Sequence, residues 1–173
     1  MKYCHLCGAK YVEGSQQPWV CSSCGNQKYL NASPTADILL FDSQGRALIS
    51  ERGIEPAKGK YDLPGGFVEL EETILEGMYR EAEEELGLKA EDFTEPVFVY
   101  SHNTQYEFSK EVNRVVGCTF AARLLTDKEI SPHDDVASVK FVTMDELDSV
   151  DFSLSAYPEI IRGAHKKLFG ADQ

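Results

Sequence analysis

The rhythm of apolar and polar positions changes several times along the chain. Over residues 1–30 aliphatic side chains are sparse (Leu6, Val12, Val20, Leu30), and Tyr3, Tyr11, Trp19 and Tyr29 supply most of the bulk. Such a segment cannot bury enough surface to fold unaided. Ser33-Pro34 punctuates the chain. From Ala36 the pattern becomes strand-like. The run Ile38-Leu39-Leu40-Phe41, a turn at Asp42-Ser43-Gln44-Gly45 and a second run from Arg46 to Ser50 predict a hairpin. Pro64-Gly65-Gly66 is a turn signal. Thr73-x-x-Glu76 matches a capping box and predicts a helix starting near Ile74. Leu75, Met78, Ala82 and Leu86 recur at helical spacing as its core face, and Gly87 is a suitable stop. Strands are predicted over 96–101, 112–125 and 139–142, with Thr143-x-x-Glu146 opening a short helix. Tyr157, Ile160, Ile161, Ala164 and Leu168 define a last, amphipathic helix. The element order predicts a mixed α/β sandwich over 31–173 behind a small unit over 1–30.

Composition narrows the class. With 42% apolar and 27% charged residues, the 173-residue chain is globular. Its 17 Lys and Arg stand against 29 Asp and Glu, a formal charge of -12. That balance disfavours sequence-independent nucleic-acid binding and docking on anionic membrane. An anionic substrate would have to be drawn in by something other than bulk charge, and a bound divalent metal does this. No apolar run reaches the length of a membrane span, and the N-terminus lacks a signal-peptide core. The expected compartment is the cytoplasm, where thiols stay reduced. The expected partner is a small molecule, and both a monomer and a homodimer stay open.

Four of the five cysteines form two Cys-x-x-Cys pairs, Cys4/Cys7 and Cys21/Cys24, with 13 residues between them. In a reducing compartment this spacing favours a metal over disulfides. Two such knuckles complete a tetrahedral four-thiolate zinc shell with no open position, so the expected Zn2+ is structural. Gly8 and Gly25 follow the second cysteine of each pair. His5, inside the first pair, is expected on the surface. Cys118 is expected as a buried small apolar residue.

A second cluster lies on the predicted helix. At about 100° per residue, Glu81, Glu84 and Glu85 fall on one side, with Glu85 at the edge of the apolar stripe. Carboxylates crowded there repel one another, and one of them lies where desolvation is costly. Hard divalent cations, Mg2+ or Mn2+, relieve both problems. Glu76 and Arg80, four apart, are expected to pair. An ordinary acidic helix face is the alternative reading of this run alone.

The segment Gly66-x5-Glu72-x7-Arg80-Glu81-Ala82-Glu83-Glu84-Glu85-Leu86-Gly87-Leu88 resembles the Nudix box, and every fixed position over its 23 residues matches. The resemblance implies an α/β/α sandwich with a mixed sheet, and hydrolysis of a nucleoside diphosphate linked to another group. It implies Glu81, Glu84 and Glu85 as metal ligands and Arg80 with Glu72 as a pair fixing the loop to the helix. It also implies that Gly65 and Gly66 let the chain turn tightly at the approach to the helix, with the Gly66 carbonyl completing the metal shell. Members often recruit a further acid from outside the box. Asp134 and Asp135 are the candidates here, a solvated acidic loop being the alternative, with Glu107 and Glu111 behind them.

A four-cysteine ribbon ahead of this domain is similar to the NADH pyrophosphatase branch of the family, which splits NAD(H) into a nicotinamide mononucleotide and AMP. Two departures stand out. The ribbon begins at Cys4, so no further domain is expected ahead of it, and the branch's S-Q-P-W-P-F-P-x-S motif after the box is absent. Tyr106 falls where dinucleoside polyphosphate hydrolases place a tyrosine, and a core tyrosine is the alternative. The substrate class therefore stays at NAD(H), ADP-ribose or a related nucleotide. The competing function is a nucleotide-sensing module whose ribbon contacts a partner, and the intact set Arg80, Glu81, Glu84 and Glu85 speaks against it.

Overall fold

The computed structural model describes residues 3–12, 17–108 and 111–170, the side chains of 106–108 and 111 excepted. The chain divides into two compact units, Met1–Ala32 and Ser33–Gln173. The first is built on a two-stranded antiparallel ribbon, β1 (Trp19–Val20) with β2 (Gln27–Lys28). Its buried centre is Cys4, Tyr11 and Cys21, with Ala9 and Trp19 packed against them. No large aliphatic side chain joins that cluster, as expected of a segment so poor in them.

The second unit is an α/β/α sandwich on a mixed sheet. Its centre is β3 (Ser33–Phe41), whose Ile38–Phe41 run is buried on both faces. On one flank β3 pairs in parallel with β8 (Glu111–Arg123), which pairs antiparallel with the edge strand β7 (Val97–Phe108). On the other flank the chain splays. β4 (Ala47–Arg52) meets β3 only at Phe41↔Ala47, then pairs with β5 (Tyr61–Asp62) and β9 (Val136–Val142). Its place beside β3 is taken by β6 (Gly65–Phe67), in register Thr35↔Phe67 to Asp37↔Gly65. The predicted hairpin is thus real at its turn, where Asp42 Oδ1 accepts from the N–H groups of Gln44 and Arg46 at 2.9 and 2.8 Å. Its strands then part.

Successive residues of β3 face opposite ways. Ala36, Ile38 and Leu40 pack with Met78, Ala82 and Leu86 of α1 (Ile74–Leu86). Leu39 and Phe41 pack with Tyr157, Ile160, Ile161 and Ala164 of α2 (Tyr157–Phe169). Each helix therefore covers one face of the sheet. In α1 the capping box forms in full, with Thr73 Oγ1 accepting from Glu76 N and Glu76 Oε2 from Thr73 N, and Gly87 closes the helix in the left-handed region.

Three local expectations change. Leu75 is exposed and Ile74 packs on the core in the first turn instead. Glu76 spends its carboxylate on the Thr73 N–H, so it does not pair with Arg80. The second capping sequence closes a turn, Glu146 Oε2 accepting from Thr143 N and Oγ1, followed only by a 3-10 turn at Leu147–Ser149. No helix of the described residues is long and apolar enough to cross a membrane.

Candidate active site

In the first unit the two cysteine pairs are built alike. The N–H of Gly8 donates to Cys4 O and that of Cys4 to Ala9 O, and Gly25, Cys21 and Asn26 repeat the pattern. Cys4 Sγ lies 3.7 Å from Cys24 Sγ and Cys7 Sγ 3.5 Å from Cys21 Sγ, and all four sulfurs lie within 4.8 Å of one another. A tetrahedron with Zn–S bonds of about 2.3 Å sets its sulfurs about 3.8 Å apart, so the cluster has the size of a zinc shell. The Cys7 backbone N–H draws the Cys4 thiol down to about 6 against the cost of burying the thiolate. The Cys24 N–H likewise lowers Cys21. Backbone donors thus favour the thiolate form that a metal requires. His5 is exposed, and Cys118 is buried on β8, far along the chain from the four.

In the second unit Arg80 organises the box. Its Nε and Nη2 fork onto Glu72 Oε2 and Oε1 at 3.1 and 2.7 Å, and Nη2 also donates to Phe67 O at 2.9 Å. That fork ties the loop ahead of α1 to the helix. Nη1 reaches Glu81 Oε1 at 2.9 Å and Glu84 Oε2 at 2.8 Å, so one cationic nitrogen gathers two of the three glutamates.

The third, Glu85, is buried, and its Oε2 accepts from Gly65 N at 2.8 Å. Burial pushes its carboxyl up to about 8, and the charges of Glu81, Asp62 and Asp135 add to the rise. Burial also raises Glu81, against the pull of Arg80. These groups resist carrying uncompensated charge, which suits oxygen ligands awaiting a hard divalent cation. Among the described residues only the four cysteines form a group within mutual ligand distance; Arg80 holds Glu81 and Glu84, and Gly65 holds Glu85.

Two glycines permit this packing. Gly65 has φ 148°, and a Cβ there would sit 2.3 Å from Ala36 O. At Gly66 a Cβ would sit 2.3 Å from Glu81 Oε1. The loop before β9 closes on the same place, with His133 N donating to Glu85 O at 3.0 Å and Gly53 N to Asp135 O at 2.7 Å. The charges of Asp134 and Asp135 act on Glu81 and Glu85 respectively, so the structure brings this loop to the carboxylates. The side chains of Tyr106, Glu107 and Glu111 lie outside the described residues.

Glu85, Gly66 and Asp135 line a cavity of about 480 Å³. Its remaining wall includes residues the sequence reading missed: Asp37, Arg52, Asp62, His102, Ser153 and Tyr157. Asp62 accepts from Arg52 Nη1 at 3.2 Å, Ser153 Oγ at 2.8 Å and Leu63 N at 2.9 Å. Burial, with Asp62 next, pushes the Asp37 carboxyl up to about 8. Asp37 did leave a trace in the sequence, as the one charge in the apolar run from Ala36 to Phe41.

A two-layered helix cover, a splayed mixed sheet and a glycine turn feeding a carboxylate-bearing helix define the class of this domain. The NUDIX domain model matches residues 32–162, and the chain belongs to the NUDIX family of hydrolases. Among curated relatives it is similar to the NAD-capped RNA hydrolase NudC of Chromobacterium violaceum, 35% identical over 53% of this chain and 34% of that one. It is also similar to the ADP-ribose pyrophosphatase of Methanocaldococcus jannaschii, 40% identical over 35% of each chain. The aligned part is thus about a third of either relative's length. A NUDIX hydrolase structure from Nitrosomonas europaea superposes with TM-score 0.66 over 98% of this chain and 94% of its own, at 24% identity. The NUDIX domain of Shewanella oneidensis NrtR, solved with ADP ribose, superposes with TM-score 0.66 over 81% and 90%, at 16% identity.

Proposed function

We propose that this chain is a divalent-cation-dependent hydrolase that cleaves the diphosphate linkage of a nucleotide joined to a second group, NAD(H), ADP-ribose or a related molecule. The observation that carries this reading is the set Glu81, Glu84 and Glu85 on α1 beside the Gly65–Gly66 turn, with Glu85 and that turn lining a nucleotide-sized cavity. Mg2+ or Mn2+, when bound, supplies charge neutralisation for the diphosphate and lowers the pKa of the attacking water.

The chain's own residues set the stage for that chemistry. Glu81, Glu84 and Glu85, with the Gly66 carbonyl, would hold the cations. Arg80 and Glu72 fix the loop so that these oxygens keep their positions, and Gly65 N–H orients Glu85. Asp134 or Asp135 would supply the further acid from outside the box. The four cysteines would hold one structural Zn2+ and take no part in the reaction, in a compartment that keeps thiols reduced. The NudC and ADP-ribose pyrophosphatase likenesses support the substrate class.

The test is a panel of NADH, ADP-ribose, dinucleoside polyphosphates, nucleotide sugars and nucleoside triphosphates with Mg2+ or Mn2+ in oxygen-18 water. The expected products are two phosphorylated fragments, one of them carrying the label on a phosphate oxygen. Release of a free or deaminated base as the main product would overturn the reading.

A further inference from the structure

The cavity also runs along the sheet face opposite the one that α1 covers. On the face of the sheet that α2 covers higher up at Leu39 and Phe41, the same strands continue with Thr35 and Asp37, Val115, and His102 and Thr104. All five line the cavity, and α2 enters it only at its first residue, Tyr157. This part of the face is therefore the floor of the site rather than core.

Two groups on that floor are under-partnered. Asp37 is 7% exposed, and its one hydrogen bond among the described residues is a long one, 3.4 Å from Thr119 Oγ1. His102 Nδ1 is buried with no partner among the described residues. Asp62, by contrast, is saturated by Arg52, Ser153 and Leu63. Buried polar groups left this way are costly unless a ligand completes them. The placement of the imidazole is also built. A Cβ on the facing Gly117 would lie 2.4 Å from the ring, so only glycine leaves room for it, and Tyr100 stacks beside it with centroids 6.2 Å apart.

We propose that Asp37 and His102 determine specificity by reading a planar amino-bearing group of the nucleotide, the –NH2 of a carboxamide or of an aminopurine edge. This rests on the reading above that a linked nucleotide fills the cavity. A carboxyl group accepts an N–H whether or not it holds its own proton, and a neutral imidazole offers one acceptor and one donor. Burial lowers the His102 pKa and so favours the neutral imidazole, against the pull of Asp62. An amide or aminopurine edge presents an N–H donor beside an acceptor, so the two side chains can engage it at two points. Replacing the amino group by an oxygen removes the N–H donor that the acceptor nitrogen of His102 needs and leaves that buried group unpaired.

The experiment uses the whole chain and three dinucleotides: NAD+, its analogue with a carboxylate in place of the carboxamide, and its analogue with hypoxanthine in place of adenine. Affinity is read by calorimetry with Ca2+, and kcat/KM with Mg2+. One of the two analogues should be about tenfold or more weaker, and which one identifies the source of the amino group. Asp37→Leu and, separately, His102→Phe should bring that ratio close to one while each variant still binds the disfavoured analogue. A preference in binding without hydrolysis would support this pocket and overturn the hydrolase reading. Hydrolysis of all three within twofold of one another, or a preference unchanged in both variants, would overturn the pocket and leave the hydrolase reading standing. Neither binding nor hydrolysis would overturn both.

Discussion

Both units of this chain carry side chains suited to a metal, and the two proposed metals stand in opposite relation to folding. Among its described residues the ribbon has a very small core, Cys4, Tyr11 and Cys21 with two partly buried neighbours. Its ligands sit on two knuckles whose backbone N–H groups already favour thiolate. The catalytic domain has two aliphatic clusters, one under each helix, and folds around them. Its carboxylates are kept at the sheet's edge by Arg80 and a Gly65 N–H at some electrostatic cost. Soft ligands that close a shell make a structural metal, whereas hard ligands that stay open toward a cavity make a chemical one. On the proposed reading, the ribbon needs its metal to be a fold, and the domain needs its metal only to work.

The largest effect that would test this contrast is at Glu84. Its carboxylate is half exposed and carries no packing, so Glu84→Gln should cut kcat by about a hundredfold or more with Mg2+ while circular dichroism and melting stay unchanged. Wild-type turnover by that variant would remove Glu84 from the metal site.

The next effect is at Cys21. Cys21→Ser should abolish stoichiometric zinc and expose residues 1–32 to rapid proteolysis, while 33–173 keeps its melting transition. Retention of full zinc content would contradict the four-thiolate assignment.

How much of this contrast was legible in the sequence depended on how local its signal was. The capping box at Thr73, the stop at Gly87 and the paired cysteines are decided by residues within a few positions of one another, and each is seen in the structure. Leu75 was misplaced because helical phase alone does not say where the sheet beneath a helix ends. The parting of β3 from β4 was not legible, because it depends on β6 and β9 arriving from far along the chain. The cavity floor was hidden for the same reason: Asp37, His102 and Tyr157 come from three elements and meet only through strand register and the docking of α2. Only Asp37 left a signal, a charge where an apolar residue was due.

A smaller effect concerns the clamp. Arg80→Lys keeps the charge but cannot fork onto Glu72 while also reaching Phe67 O, Glu81 and Glu84. The expected outcome is a fall in melting temperature of several degrees and a larger fall in kcat than in Mg2+-free nucleotide binding. Unchanged kcat would mean that the loop keeps its place without the fork.

The smallest effect is in pH dependence. The folded-state pKa of Asp37 is raised from 3.8 to about 8, so between those values the folded state holds a proton that the unfolded state has released. Its contribution to stability is therefore present at low pH and is lost as pH rises through that window. Comparing melting temperatures from pH 4 to 9, Asp37→Leu should lack this decline and so gain on the wild type as pH rises. Parallel curves would show that Asp37 is ionised throughout.

The central claim, that the zinc holds the ribbon while a different metal works at the carboxylates, is tested most directly on one preparation. Zinc per chain is measured by elemental analysis, and hydrolysis of NADH and ADP-ribose is then followed as Mg2+ is added. The account predicts about one bound zinc per chain throughout. It also predicts negligible hydrolysis before Mg2+ is added and saturable activity after it, with Glu84→Gln keeping the zinc and losing the activity. Full turnover by the zinc-loaded protein without Mg2+ or Mn2+, or loss of zinc in Glu84→Gln, would contradict it.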